Sequence, residues 1–312
     1  FYAHKILKHP KLERSMIGGA ITILDINGHF EEGILEAVDK IQQLKPAKRM
    51  FYWVSLAEAC ELNDSYSSLS DIFLKKAEAL SSKYKDNRFM TLLILHSIGQ
   101  NAEFSGNYKK ARQYYKKILK IDPGYMVGTL KDDLSALSDS NISAKLKSKV
   151  TQKDDASMVE LGIAYLYGSL SEKNPSKAVA LFNKAANMNN AYAIYFLGLC
   201  YDNGIGVKTN KSKAIKLYKR GALLHHPICQ AIVGDLYYSG ESVNKDHAQA
   251  VKYYLLSAKQ GYPEAQRALG ECYLQGEGVP ADQKKATLWL RIAALQNNEK
   301  AISLLKELNS KK

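Results

Sequence analysis

The chain lacks the features that mark several classes of protein. Its 312 residues contain no apolar run near the ~20 residues that a transmembrane helix needs. No GxSxG, HExxH, P-loop or dinucleotide-binding motif occurs in a context that would support catalysis. Cys60, Cys200, Cys229 and Cys272 form no CxxC pair and no cluster with zinc-ligand spacing, so we interpret them as small core residues. We therefore predict no transmembrane segment, no metal, no cofactor and no enzymatic activity.

Basic residues outnumber acidic ones, but they do not form one tract. There are 44 Lys and Arg against 31 Asp and Glu, which gives a net charge of +13. The excess is shared by both halves of the chain. It favours solvated helix faces, or attraction to an acidic partner, an anionic polysaccharide or a membrane surface. No basic stripe with interleaved aromatic residues is present, so nucleic acid is not an expected partner.

A repeat of constant length fills the second half of the chain. Four Leu-Gly-like pairs recur with a step of 36 residues: Leu161-Gly162, Leu197-Gly198, Val233-Gly234 and Leu269-Gly270. A fixed period of this length is typical of stacked helical hairpins, which usually bind other molecules rather than transform them.

The other recurring positions of the repeat each have a physical role. The Leu-Gly glycine lets the second helix of a hairpin approach the first closely, which explains a residue that is unfavourable in helices. A second glycine ends the first helix, and an Asn or Asp caps the start of the second. These positions are Gly168, Gly204, Gly240 and Gly276, followed by Asn174, Asn210, Asp246 and Asp282.

This pattern resembles the Sel-one-like repeat (SLR) family of the tetratricopeptide (TPR) superfamily. The match is closest at Gly276-Glu277-Gly278-Val279, which leads to Asp282, Lys285, Ala286 and Trp289, and it covers about residues 155–309. His225-His226 lies where the family has Gly-His, so we predict a turn there. Residues 88–123 are similar to a TPR unit, and residues 12–45 and 47–84 have the same outline.

The resemblance implies an all-α fold, a right-handed α-solenoid in which TPR-like hairpins precede Sel-one-like repeats. We predict TPR-like hairpins in residues 1–138, a linker or irregular hairpin in 139–155, and four Sel-one-like repeats with a C-terminal capping helix in 156–312. Each hairpin is expected to bury its flank only against the next one along the chain. Because Phe1 is neither a Met nor part of a signal-peptide pattern, we expect a removed leader or membrane anchor before it.

The superfamily's first helices line a concave face, so the resemblance also implies a partner-binding groove. Tyrosines among carboxylates and amides suit an extended peptide, although Tyr192, Tyr195 and Tyr238 could equally only pack between neighbouring helices. The predicted groove residues are His96, Gln100, Glu103, Tyr192, Tyr195, Asp202, Asn203, Asp235, Tyr238, Arg267 and Glu271.

The expected function is that of a scaffold or adaptor that binds partner proteins or peptides. Relatives with this repeat combination suggest a bacterial envelope assembly and a periplasmic or envelope location, with a cytoplasmic one as the alternative. Two other functions stay open. One is binding of an anionic polymer, such as peptidoglycan or exopolysaccharide, through the basic surface. The other, less favoured, is an envelope enzyme, which would need a pocket with paired titratable groups.

Overall fold

All the regular secondary structure of the described residues is helical. The computed structural model describes Ile17, Ala20, Ile21 and Leu24 and residues 29–61, 66–81, 88–104, 107–122, 136–169 and 172–310. Within these residues no strand occurs, and the predicted all-α fold of helical hairpins is confirmed. The part of the predicted 12–45 hairpin before residue 29, apart from those four residues, lies outside the described residues.

The helices follow the predicted repeats. The N-terminal half contains α1 (Phe30–Gln43), α2 (Pro46–Glu61), α3 (Ser67–Ser81), α4 (Arg88–Phe104) and α5 (Tyr108–Ile121). Then come α6 (Asp139–Thr151), α7 (Asp155–Tyr167), α8 (Pro175–Asn187), α9 (Ala191–Asn203) and α10 (Lys211–Leu223). The chain continues with α11 (Pro227–Ser239), α12 (His247–Lys259), α13 (Pro263–Gln275), α14 (Gln283–Leu295) and α15 (Glu299–Ser310).

The helix boundaries of the repeats are set by the predicted cap residues. Gly204 ends α9 with φ +70°, a left-handed conformation that a side chain would disfavour. Asn210 then begins α10, because its side-chain oxygen accepts the Lys213 amide at 2.9 Å. Asn174 caps α8 in the same way. The turn and cap residues of the repeat are confirmed at these positions.

The glycine in the middle of each first helix is required by the second helix. A Cβ built on Gly198 would lie 2.6 Å from a ring carbon of Tyr218, far inside normal contact distance. The same relation recurs in every hairpin of this type, in the pairs Gly99–Tyr115, Gly162–Phe182, Gly234–Tyr254 and Gly270–Leu290. The recurring glycine thus marks the position in each hairpin at which the two helices approach each other closely.

The chain divides into two compact units. The first comprises Phe1–Val127, Lys259–Gly276 and Pro280–Lys312, and the second comprises Gly128–Ala258 and Glu277–Val279. In the second unit, α6 occupies most of the segment predicted as a linker or irregular hairpin. It begins at Ser138, whose hydroxyl accepts the Asn141 amide at 3.3 Å, and it packs against α7.

In the first unit, one contact joins helices that are far apart in sequence. Ile292 of α14 is fully buried within the same core cluster as the residues of α1 to α3. Beside it, Arg291 Nη2 donates to both carboxylate oxygens of Asp39 on α1, at 2.7 and 2.8 Å. The expectation that each hairpin buries its flank only against the next along the chain is therefore wrong here, because α14 offers the N-terminal core an apolar side chain.

Candidate partner-binding surface

Three tyrosines of the second unit lie on two successive first helices, and Tyr195 is close enough to each of the other two to interact with it or share a contact with it. Tyr167 ends α7, while Tyr192 and Tyr195 lie one turn apart near the start of α9. Tyr167 is 65% exposed and Tyr192 is 58% exposed, whereas Tyr195 is half-buried. Burial raises the pKa of Tyr195, and the neighbouring Tyr167 raises it further. We call Tyr167, Tyr192 and Tyr195 the tyrosine patch.

A buried histidine supports this patch from below. The His226 ring stacks on Tyr195 with ring centroids 4.9 Å apart, and Tyr192 meets it edge-on at 4.8 Å. His226 also caps α11, since its Nδ1 accepts the Cys229 amide at 3.4 Å. Burial lowers the pKa of His226 to about 4, so the ring is neutral at pH 7 and able to accept that bond. The His226 ring therefore holds the Tyr192 and Tyr195 rings in place.

The predicted groove carboxylates of the second unit are bonded within their own hairpins. Asp202 pairs with Lys211 at 2.6 Å. Burial, and then the Asp202 carboxylate beside it, raise the pKa of Tyr218 above its ordinary value. Asp235 accepts the Tyr254 hydroxyl at 2.7 Å. These side chains tie a first helix to its second helix, so they contribute to hairpin stability.

The remaining predicted residues of the second unit also make internal contacts. The Asn203 side-chain amide donates to the Leu199 carbonyl of the same helix at 3.1 Å. The Tyr238 ring stacks on His247 at 4.8 Å, and its hydroxyl donates to Glu277 at 2.5 Å. Packing between neighbouring elements, one of the two roles considered for the tyrosines, is thus what Tyr238 does.

The predicted residues of the first unit fall on two helices. On α4, Glu103 accepts the Tyr115 hydroxyl at 2.9 Å, and the His96 ring lies 6.1 Å from the same tyrosine ring. Gln100 is exposed on that helix. On α13, Arg267 and Glu271 form an ion pair with one helical turn between them, at 2.5 Å.

Sequence reasoning missed Tyr167, His226 and Glu277. Tyr167 stands five residues after Gly162, the same register as the predicted residue Asn203, so the period could have found it. His226 was predicted to lie in a turn, and this is confirmed: His225 has φ +60° and His226 caps the next helix. The contact of two tyrosine rings with His226, one stacked and one edge-on, has no signal in the repeat, because it depends on side-chain directions across two hairpins.

No group of three or more His, Cys, Asp and Glu suited to a metal ion occurs in the described ranges. No helix within those same ranges is both long and apolar enough to span a bilayer. In the first unit, a cavity of about 610 Å³ lies between α1 and α14. It is lined by Glu32, Leu35, Glu36, Asp39, Gln283, Lys284, Thr287, Leu288 and Arg291.

Charge is sorted by helix in the second unit. Its first helices, α7, α9 and α11, contain acidic residues but no Lys or Arg. Its second helices, α8, α10 and α12, contain no Asp or Glu, and α10 alone carries four lysines and Arg220. Among the helices α7 to α12, positive charge is therefore concentrated on the second helices. The tyrosine patch lies on the first helices.

The chain matches known repeat families. The Sel1 repeat model matches residues 155–190, 191–226, 227–262 and 263–298, and a tetratricopeptide repeat model matches residues 93–125. No curated protein matches the chain. Three solved structures are similar at low identity.

A Sel1 repeat protein from Oxalobacter formigenes is 23% identical over 67% of this chain and 73% of its own, with a TM-score of 0.47. A protective antigen of uropathogenic Escherichia coli with an SLR fold is 19% identical over 98% and 78%, with a TM-score of 0.41. Helicobacter pylori cysteine rich protein B is 23% identical over 42% and 95%, with a TM-score of 0.34. Residues 155–298 are thus four consecutive Sel1 repeats, and a tetratricopeptide repeat precedes them.

Proposed function

We propose that this protein is a scaffold that binds a peptide segment of a partner protein through the tyrosine patch. Sel1 repeats generally mediate protein–protein interactions. The observation that supports this particular surface is the exposure of more than half of two tyrosines on successive first helices, Tyr167 and Tyr192. Large exposed aromatic side chains that cluster on a rigid surface are typical of interaction sites.

The patch has the physical properties of a peptide anchor. Tyrosine offers a large flat apolar surface and a hydroxyl, and it loses little conformational entropy on binding because it has only two side-chain torsions. Tyr195 already stacks on His226 in the structure, so its side chain loses less conformational entropy when a partner binds. The phenol hydroxyls can bond to the backbone of an extended segment, while the rings contact its side chains.

The test removes the exposed rings without disturbing the fold. We expect Tyr167→Ala with Tyr192→Ala to keep the helical circular dichroism spectrum and to lose a partner captured by the wild-type chain. With that partner purified, calorimetry should show a Kd increase of about thirtyfold or more, the cost of truncating an interface hot spot. Tyr195→Ala is a poorer probe, because Tyr195 is half-buried and its ring stacks on His226.

The matched control is Met188→Ala with Leu223→Ala, which removes two exposed apolar side chains from the second helices. It should bind the same partner with unchanged affinity. If the tyrosine variant binds as tightly as wild type, or if the control variant loses affinity equally, the tyrosine patch is not the binding surface.

A further inference from the structure

Exposed aliphatic side chains gather at one end of the second helices in the second unit. Leu223 is 74% exposed, Leu256 48% and Met188 47%, and Leu224 is also exposed. Met188 and Leu224 are 36 residues apart, so they occupy the same place in consecutive repeats. Each of the four lies in the last turn of α8, α10 or α12 or directly after it. Leu223 and Leu256 stand one and four residues before the Met188 position in their own repeats, so all four side chains fall within about one helical turn of it.

Each of these helices pairs the exposed aliphatic residue with a lysine one turn earlier. Residues four apart lie on the same helix face, and the pairs are Lys184–Met188, Lys219–Leu223 and Lys252–Leu256. Because α8, α10 and α12 contain no Asp or Glu, no carboxylate on these helices offsets the lysines. The surface is therefore both cationic and aliphatic, and we call these six residues with Leu224 the lysine–leucine face.

The composition of this face selects one kind of partner. A soluble polyanion would use the lysines and leave the leucines in water. A bilayer that contains anionic phospholipid uses both, since aliphatic side chains enter the boundary between headgroups and acyl chains while lysines contact the phosphates. We propose that the lysine–leucine face docks on the surface of an anionic phospholipid bilayer.

This inference is independent of the peptide-binding function. The tyrosine patch belongs to the first helices and the lysine–leucine face belongs to the second helices, so separate substitutions test the two surfaces. A chain with both properties would hold a partner protein at a membrane surface.

The test is sedimentation of the full chain with lipid vesicles. We expect the chain to bind vesicles that contain phosphatidylglycerol, not vesicles of pure phosphatidylcholine, and to bind less as salt rises. Lys184→Gln with Lys252→Gln should lower the partition coefficient about 25-fold, from about fivefold for each lysine near the surface. Leu223→Ser with Leu256→Ser should lower it by about tenfold or more without changing net charge.

Charge-matched controls separate this face from the net charge of the protein. Lys208 and Lys245 are exposed in the loops before α10 and α12, about 20 Å along a 13-residue helix from the leucines. Lys208→Gln with Lys245→Gln removes the same charge and should leave vesicle binding nearly unchanged. Tyr192→Ala should also leave it unchanged, which keeps this test distinct from that of the peptide-binding function.

Several results would overturn the proposal. One is equal binding to both kinds of vesicle, or binding to neither. Another is a leucine variant that binds vesicles like wild type while the lysine variant does not, which would indicate a general polyanion surface. A third is an equal loss from both pairs of lysine substitutions, which would assign the effect to net charge. Circular dichroism of each variant checks that the fold is kept.

Discussion

The contact between Gly221 and Cys229 gives a direct test of how the repeats accommodate changes in side-chain size. Gly221 lies in α10, and a Cβ built there would be 2.6 Å from Cys229 Sγ and 3.2 Å from its Cβ. In the preceding repeat the equivalent residues are two alanines, Ala185 and Ala193, buried in one cluster. The larger side chain on α11 is thus matched by a smaller one on α10.

The size of the effect follows from this geometry. Gly221→Ala should cost about 1–3 kcal/mol through overpacking, offset by about 1 kcal/mol of improved helix propensity, so the net loss is about 0–2 kcal/mol. Cys229→Ala should cost about 1 kcal/mol by removing a buried sulfur. In the double variant the new methyl group takes the space of the sulfur. Its stability should therefore lie within about 1 kcal/mol of wild type, with a coupling near 2 kcal/mol.

Urea denaturation followed by far-UV circular dichroism measures all four proteins of this cycle. Cys200→Ala is the matched control, because the nearest atoms to an added Cβ at Gly221 belong to Cys229 and Ile194. Combined with Gly221→Ala, it should give a simple sum of the two losses. The packing argument is refuted if the losses at Gly221 and Cys229 also add, since that would mean the sulfur is not what excludes the methyl group.

Two further predictions concern helix caps. Asn210→Ala removes the acceptor of the Lys213 amide and should cost about 1 kcal/mol in urea denaturation, while Asn210→Asp should retain the cap. Burial lowers the pKa of His226 to about 4, below its ordinary value of 6.5, so the unfolded chain binds the proton more tightly. Its contribution is complete above about pH 6.5 and falls as the pH drops toward 4, by at most about 3 kcal/mol. His226→Asn should flatten stability over this range in denaturation at paired pH values, and an unchanged slope would assign the acid sensitivity to other groups.

The period of the sequence was sufficient to predict the hairpins and their boundaries. The roles of a glycine such as Gly198 and a cap such as Asn210 depend only on nearby structure. Gly198 allows the paired helix to approach closely, and Asn210 bonds to a backbone amide three residues later. The same holds for the turn at His225. Signals of this kind can be read from one repeat and checked against the next, because every repeat must solve the same packing problem.

Contacts that break the period could not be predicted in this way. The ion pair of Asp39 with Arg291 joins positions 252 residues apart, and a repeat pattern describes only neighbours. The groove residues show a second reason. Spacing puts Asp235 on a first helix, but only the structure gives its bond to the Tyr254 hydroxyl. Contact of the predicted groove residues with a partner therefore stays a prediction. The exposed Tyr192 is a better probe of it than Asp235, which bonds within its own hairpin.

The packing of α14 on the N-terminal core has a consequence for biosynthesis. A ribosome makes the chain from its N-terminus, and domains begin to fold as they emerge. The part of the core that Ile292 covers must stay open to water until α14 has been made, some 250 residues after α1. Closing a loop of this length costs more chain entropy than bringing two adjacent hairpins together does. The nascent chain thus exposes an apolar site throughout most of its synthesis, and that site is where we expect a chaperone to bind it.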